Sequence, residues 1–113
     1  MNLQRLLWMA GAAALAFFCA LATPAARAAD VDAGRQKAAL CAVCHGPQGL
    51  SLTPDAPHLA GQPALYLATQ LRAYRSGARR HEVMAVMAKP LSDDIDNLAA
   101  WFASLKITVQ AAP

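Results

Sequence analysis

The ten residues Leu40–Gly49, LCAVCHGPQG, decide how the rest of this 113-residue chain is read. Cys41 and Cys44 stand three apart, and His45 follows the second cysteine directly. That spacing serves three chemistries: a redox dithiol, part of a metal site, or an anchor for a covalently tethered group. The sequence on either side chooses among them.

Upstream, MNLQR carries one positive charge, Leu6 to Ala22 is apolar almost without interruption, and TPAARAAD follows. A basic start, an apolar middle and small residues at the exit are the marks of a secretory leader. Ala26 and Ala28 place small side chains at the third and first positions before a cut ahead of Ala29. The apolar run, about 17 residues, is short beside the ~20 that a spanning helix needs. Residues 1–28 are therefore expected to be a cleaved signal peptide and residues 29–113 a single exported domain without stable membrane insertion. Cys19, Arg5 and Arg27 leave with the leader. The formal net charge of +3 for the whole chain then falls to near neutrality, and only Cys41 and Cys44 remain as thiols. No basic run extends beyond Arg79-Arg80, so no nucleic-acid partner is expected.

A mature chain of about 85 residues buries a modest core and commonly depends on a disulfide, metal or cofactor. Its patterning predicts an all-α fold of three main helices and two long loops. Asp32 can cap a first helix running to about Val43, with Val31, Gly34, Ala38 and Cys41 on one side. QPALYLATQLRAYRSG predicts a second, with Pro63 at its first helical position, a stripe of Ala64, Leu67, Ala68, Leu71 and Tyr74, and Gly77 at its end. SDDIDNLAAWFASL predicts a third, capped by Ser92, with Asp93 and Asp94 at the positive end of the dipole. Its apolar face is Ile95, Leu98, Ala99, Phe102 and Leu105. The loops HGPQGLSLTPDAPHLAG and ARRHEVMAVMAKPL are long for so small a domain, which points to a functional role.

A redox dithiol sits at a helix start beside a sheet; here the motif closes a helical stretch and no βαβ pattern receives it. Structural zinc needs four ligands, and Cys41, Cys44 and two of His45, His58 and His81 match no compact zinc spacing. A Cys41–Cys44 disulfide would close a very small loop and leave the long loops unexplained. C-x-x-C-H fits covalent haem attachment: two thioethers on one edge of the ring, with His45 carried beneath the iron. A second axial ligand is then required downstream, from Met84, Met87, His58 or His81.

Three segments in order, CAVCHG, PHLAGQPALYLATQLRAYRSGARR and MAVMAKPLSDDIDNLAAWFASL, resemble the small class I c-type cytochromes of bacteria, in particular either half of the two-haem periplasmic cytochromes c. The likeness spans nearly the whole mature chain. It implies a cytochrome c fold around one haem c, with Cys41 and Cys44 as thioether cysteines, His45 as proximal ligand and Met84 as distal ligand, Met87 being the alternative. It also implies that Pro57 lies in the loop whose backbone carbonyl orients the ligand histidine, and that Gly34 marks the crossing of first and last helices, against Leu98 and Trp101 or Phe102. The function implied is periplasmic one-electron transport between transient redox protein partners, without enzymatic activity, since His and Met leave no iron position open. The alternative is a haem c subunit of a larger respiratory or dehydrogenase complex. Arg72, Arg75, Arg79, Arg80 and Lys89 gather near the second loop as either a docking rim or a solvated face.

Overall fold

The computed structural model describes residues 27–111, so most of the expected leader lies outside it. Five helices follow in order: α1 (Val31–Lys37), α2 (Ala42–His45), α3 (Ala64–Ser76), α4 (Glu82–Ala88) and α5 (Ile95–Ser104), with a 3₁₀ turn, Ala38–Leu40, between the first two. The described residues contain no strand, and the fold is all-α. No helix among them is long and apolar enough to cross a membrane.

The core belongs to α5. Ile95, Leu98, Ala99 and Phe102 recur at helical spacing and are buried, meeting Leu67 and Ala68 of α3, Ala38 and Leu91. Cys41, Leu59, Leu71, Trp101 and Leu105 pack around this cluster half-buried. Ala64, expected on the inner stripe of α3, is exposed. α1 crosses α5 on the other side, and Gly34 makes the crossing possible. A Cβ at Gly34 would fall on the carbonyl oxygen of Asn97 and lie 3.0 Å from the Cβ of Trp101. Trp101 is thus the residue met at the crossing, while Phe102 turns into the core. Two ion pairs tie the start of α5 to its neighbours: Lys37 to Asp94 at 2.8 Å and Arg72 to Asp96 at 2.6 Å.

The helix boundaries differ from expectation in four places, and tertiary contacts explain most of the differences. Asp30 rather than Asp32 caps α1: its carboxylate accepts from the Ala33 amide at 3.0 Å, and its own amide donates to Asn97 Oδ1 at 2.8 Å. The first helix does not run unbroken to Val43. It tightens after Lys37 to three residues per turn, with the Cys41 amide donating to Ala38 O at 2.9 Å, which keeps Ala38 and Cys41 on the core side. Pro63 sits just before α3 rather than inside it. Ser92 caps nothing; its amide bonds back to Pro90 O, and α5 starts three residues later, the Asp94 carboxylate being engaged by Lys37.

The largest departure is α4, which occupies the middle of the expected second loop. His81 caps it, its Nδ1 accepting from the Met84 amide at 3.3 Å. Imidazole is not among the favoured capping groups, and seven residues carry little periodicity, so the pattern in sequence is faint.

Candidate functional site

Cys41 ends the 3₁₀ turn and is half-buried at the edge of the core, whereas Cys44, one turn later in α2, is exposed. Both thiols are unpaired. Burial pushes the Cys41 thiol above its ordinary pKa, the opposite of what a nucleophilic dithiol requires. Nor do three or more His, Cys, Asp or Glu side chains gather as a metal-holding group among the described residues, which removes the support for a zinc site.

The loop 46–63 folds back over the Cys44–His45 turn. Ser51 is its hub: the hydroxyl donates to Cys44 O at 3.1 Å and accepts from the Thr53 amide at 3.1 Å, while the Ser51 amide donates to His58 Nδ1 at 2.8 Å. Gly49 O accepts from the amides of both Leu59 and Ala60, at 2.7 and 3.1 Å. Gly49 itself has φ +72°, and a Cβ there would strike the Phe102 ring and the Ala60 amide nitrogen, so this turn seats the loop directly on the core. The folded-back loop brings the Pro57 carbonyl to His45, whose Nδ1 lies 2.8 Å from Pro57 O.

These bonds sort the three histidines by their lone pairs. A carbonyl can only accept, so His45 Nδ1 carries the proton and, in the neutral ring, Nε2 keeps its lone pair. His45 is 7% exposed, and its Nε2 has no hydrogen-bond partner among the described residues. His58 and His81 are the reverse: each uses Nδ1 to accept a backbone N–H, from Ser51 and Met84, which leaves Nε2 as the protonated nitrogen. Only His45 therefore offers an imidazole lone pair to a metal. His58 and His81, weighed in sequence as ligands, serve here as backbone acceptors.

On α4, Met84 and Met87 lie less than one turn apart but differ in burial. Ala88 is fully buried and Met84 and Ala85 half-buried, so the inward side of α4 passes through Met84; Met87 is 38% exposed. Large apolar side chains are also exposed on the segments around the cysteines and on α4, among them Leu40, Val43, Leu52, Val83 and Val86. Two thiols, one buried imidazole with a free lone pair and a half-buried thioether are the donor set of a thioether-linked haem, so the residues fit the group. Of the five basic residues, Arg72 is paired with Asp96 and Arg79 donates to Gln70 Oε1 at 2.6 Å; Arg75, Arg80 and Lys89 are exposed.

The family model described as Cytochrome c matches residues 31–106. The chain belongs to the cytochrome c family. Its cofactor is accordingly haem c, and Cys41 and Cys44 are the thiols available to carry it. Over 81 residues the cytochrome is 43% identical to cytochrome c-554(548) of Halomonas halodenitrificans, an alignment covering 68% of this chain and 98% of that one. It superposes on the crystal structure of reduced recombinant cytochrome c4 from Pseudomonas stutzeri with a TM-score of 0.68 at 40% identity, covering 76% of this chain and 50% of that one. It is 46% identical over 80 residues to the thiosulfate dehydrogenase electron acceptor of Thiomonas intermedia, with 68% of this chain and 36% of that protein covered. The cytochrome thus spans nearly all of the Halomonas relative but about half or less of the other two. Electron transfer is what the family membership assigns to it.

Proposed function

We propose that this cytochrome is a periplasmic one-electron carrier, not an enzyme, whose single haem is ligated by His45 and Met84. When bound, haem c supplies an iron that holds or releases one electron. The chain's part is positional. Cys41 and Cys44 tether the ring, so the cofactor cannot be lost by dilution in an exported protein. The Pro57 carbonyl, 2.8 Å from His45 Nδ1, fixes the imidazole tautomer and plane, leaving Nε2 as the nitrogen that would hold the iron. Met84 is the better placed of the two methionines because it lies on the inward side of α4. With His45 and Met84 both holding the iron, no ligand position would remain for a small-molecule substrate, which is the physical reason for a carrier.

The observation that carries this reading is the sorting of the histidines, which leaves His45 as the imidazole with a free lone pair. The test is optical. In the oxidised holo-protein, the far-red charge-transfer band of methionine-ligated haem should vanish in Met84→Ala and survive in Met87→Ala. Loss only in Met87→Ala would transfer the ligand role, and absence of haem after expression with a working attachment system would sink the function.

A second reading is that the cytochrome is the haem c subunit of a larger complex, favoured by its identity to a relative named as an electron acceptor of thiosulfate dehydrogenase. A carrier whose partners are transient redox proteins elutes from native extracts at its own mass; a subunit co-elutes with a larger protein.

A further inference from the structure

The Met84 helix is fastened unevenly. Its C-terminal end is held by Ala88, fully buried, and by Leu91, part of the core. Its N-terminal end has no buried side chain: His81, Glu82 and Val83 are all exposed. A helix of seven residues does not persist on propensity alone, and Met84 lies in the end that would fray first. Something must hold it.

What holds it is a ring. His81 takes an extended backbone (φ −162°, ψ 124°), and its Nδ1 accepts the Met84 amide proton at 3.3 Å. Serine, threonine, aspartate or asparagine would cap as well or better. The imidazole adds reach: its ring meets Tyr74 of α3 edge to face, with centroids 6.4 Å apart and planes at 74°, inside the favourable range for aromatic pairs. Tyr74 is braced in turn, because the Arg79 guanidinium lies 4.7 Å from its ring centroid. Arg79 is fixed by Gln70 Oε1 at 2.6 Å and, through its own amide, by Ala73 O at 3.0 Å. The backbone amide of Met84 is therefore linked through one imidazole to the last turns of α3, a helix whose Leu67, Ala68 and Leu71 pack in or against the core.

We propose that His81 and Tyr74 form a positioning pair for the distal ligand, holding the N-terminal end of α4 against α3 so that Met84 stays in place. The proposal rests on Met84 being the ligand. Neither residue touches the iron; they set how readily the methionine leaves.

The experiment is an imidazole titration of the oxidised holo-protein, in which added imidazole competes with methionine for the iron and loss of the far-red band reports displacement. His81→Asn keeps a capping oxygen but removes the ring. Tyr74→Leu keeps bulk but removes the aromatic face, and Tyr74→Phe keeps the face. His81→Asn and Tyr74→Leu should each tighten apparent imidazole binding about 2- to 10-fold, the range of one aromatic pair. The double variant should do no more than the stronger single, since both break one contact, and Tyr74→Phe should behave as wild type. Unchanged imidazole affinity in both single variants, even with a lowered unfolding temperature, would overturn the proposal and leave a merely structural contact. So would additive effects in the double variant. If Tyr74→Leu fails to load haem, the milder His81→Asn decides. Survival of the far-red band in Met84→Ala would overturn the ligand assignment and this proposal with it; loss of the band there with unchanged imidazole affinity in the variants would overturn this proposal alone.

Discussion

Alanine at position 34 measures how close α1 and α5 come. The added Cβ would fall on the Asn97 carbonyl oxygen and approach the Trp101 Cβ to 3.0 Å. The first obstacle is helix backbone, so no rotamer change relieves it and the two helices must part. Overpacking usually costs about 1–3 kcal/mol, and a backbone obstacle places this case near the top, at about 3 kcal/mol. Alanine recovers about 1 kcal/mol as the better helix former. The net loss of roughly 2 kcal/mol corresponds to a Tm roughly 8–16 °C lower in a domain of this size. The assay is thermal unfolding of the holo-protein by far-UV circular dichroism, with Gly77→Ala as control. At Gly77 an added Cβ has no atom within 4 Å, and the only cost is φ +81° in the left-handed region, about 1–2 kcal/mol for a residue with a Cβ. If Gly34→Ala matched the parent protein, or gained stability, the crossing could not be as close as described.

Two smaller perturbations test the ties at the ends of α1. Asp30→Ala removes the cap on Ala33 and should lower stability by about 1 kcal/mol, seen as a lower denaturant midpoint with unchanged slope. Lys37→Met breaks the pair with Asp94, whose side chains are 38% and 32% exposed; the loss should stay below about 1 kcal/mol and shrink as salt is added, and a larger, salt-insensitive loss would mean the pair is more than a surface tie.

How much of this was legible beforehand varies with the kind of signal. The α5 face, Ile95, Leu98, Ala99 and Phe102, could be read directly because a mostly buried helix imposes its period on composition. Gly77 as the end of α3 could be read for a similar reason: it adopts a left-handed conformation that glycine tolerates best. The α4 helix could not be. After Glu82 it is a Val-Met-Ala repeat with no polar residue to mark an outer face, and its cap is a histidine. Ser92 misled because a good capping residue is only a local preference, and the chain there is set by Lys37 reaching Asp94. At the site, the CxxCH spacing was plain, but the hydrogen bonds that distinguish His45 from His58 and His81 run to the backbone of residues 3 to 12 positions away. No sequence pattern encodes which nitrogen faces a carbonyl and which an amide.

The distribution of burial also bears on how the domain works. The core joins α3, α5, Ala38 of the 3₁₀ turn and Leu91, while α2, the loop 46–63 and α4 contribute few buried side chains: His45, Ala60 and Ala88. Segments so sparsely buried, held mainly by loop hydrogen bonds such as those of Ser51 and Gly49, belong to the low-stability end of a structure and open locally without global unfolding. In this cytochrome those segments carry all the proposed haem ligands. Thioether bonds at Cys41 and Cys44 meet that difficulty on one side of the ring, because a covalent anchor survives local opening of α2. Nothing covalent holds the other side. If Met84 is the ligand, as proposed, its retention depends on the local stability of α4, with Ala88 and Leu91 fastening one end and the His81–Tyr74 contact the other. Heating or mild denaturant should accordingly release the methionine before the α3–α5 core melts, with the far-red band lost at a lower midpoint than helical circular dichroism. Coincident midpoints would show instead that α4 and the core form one cooperative unit.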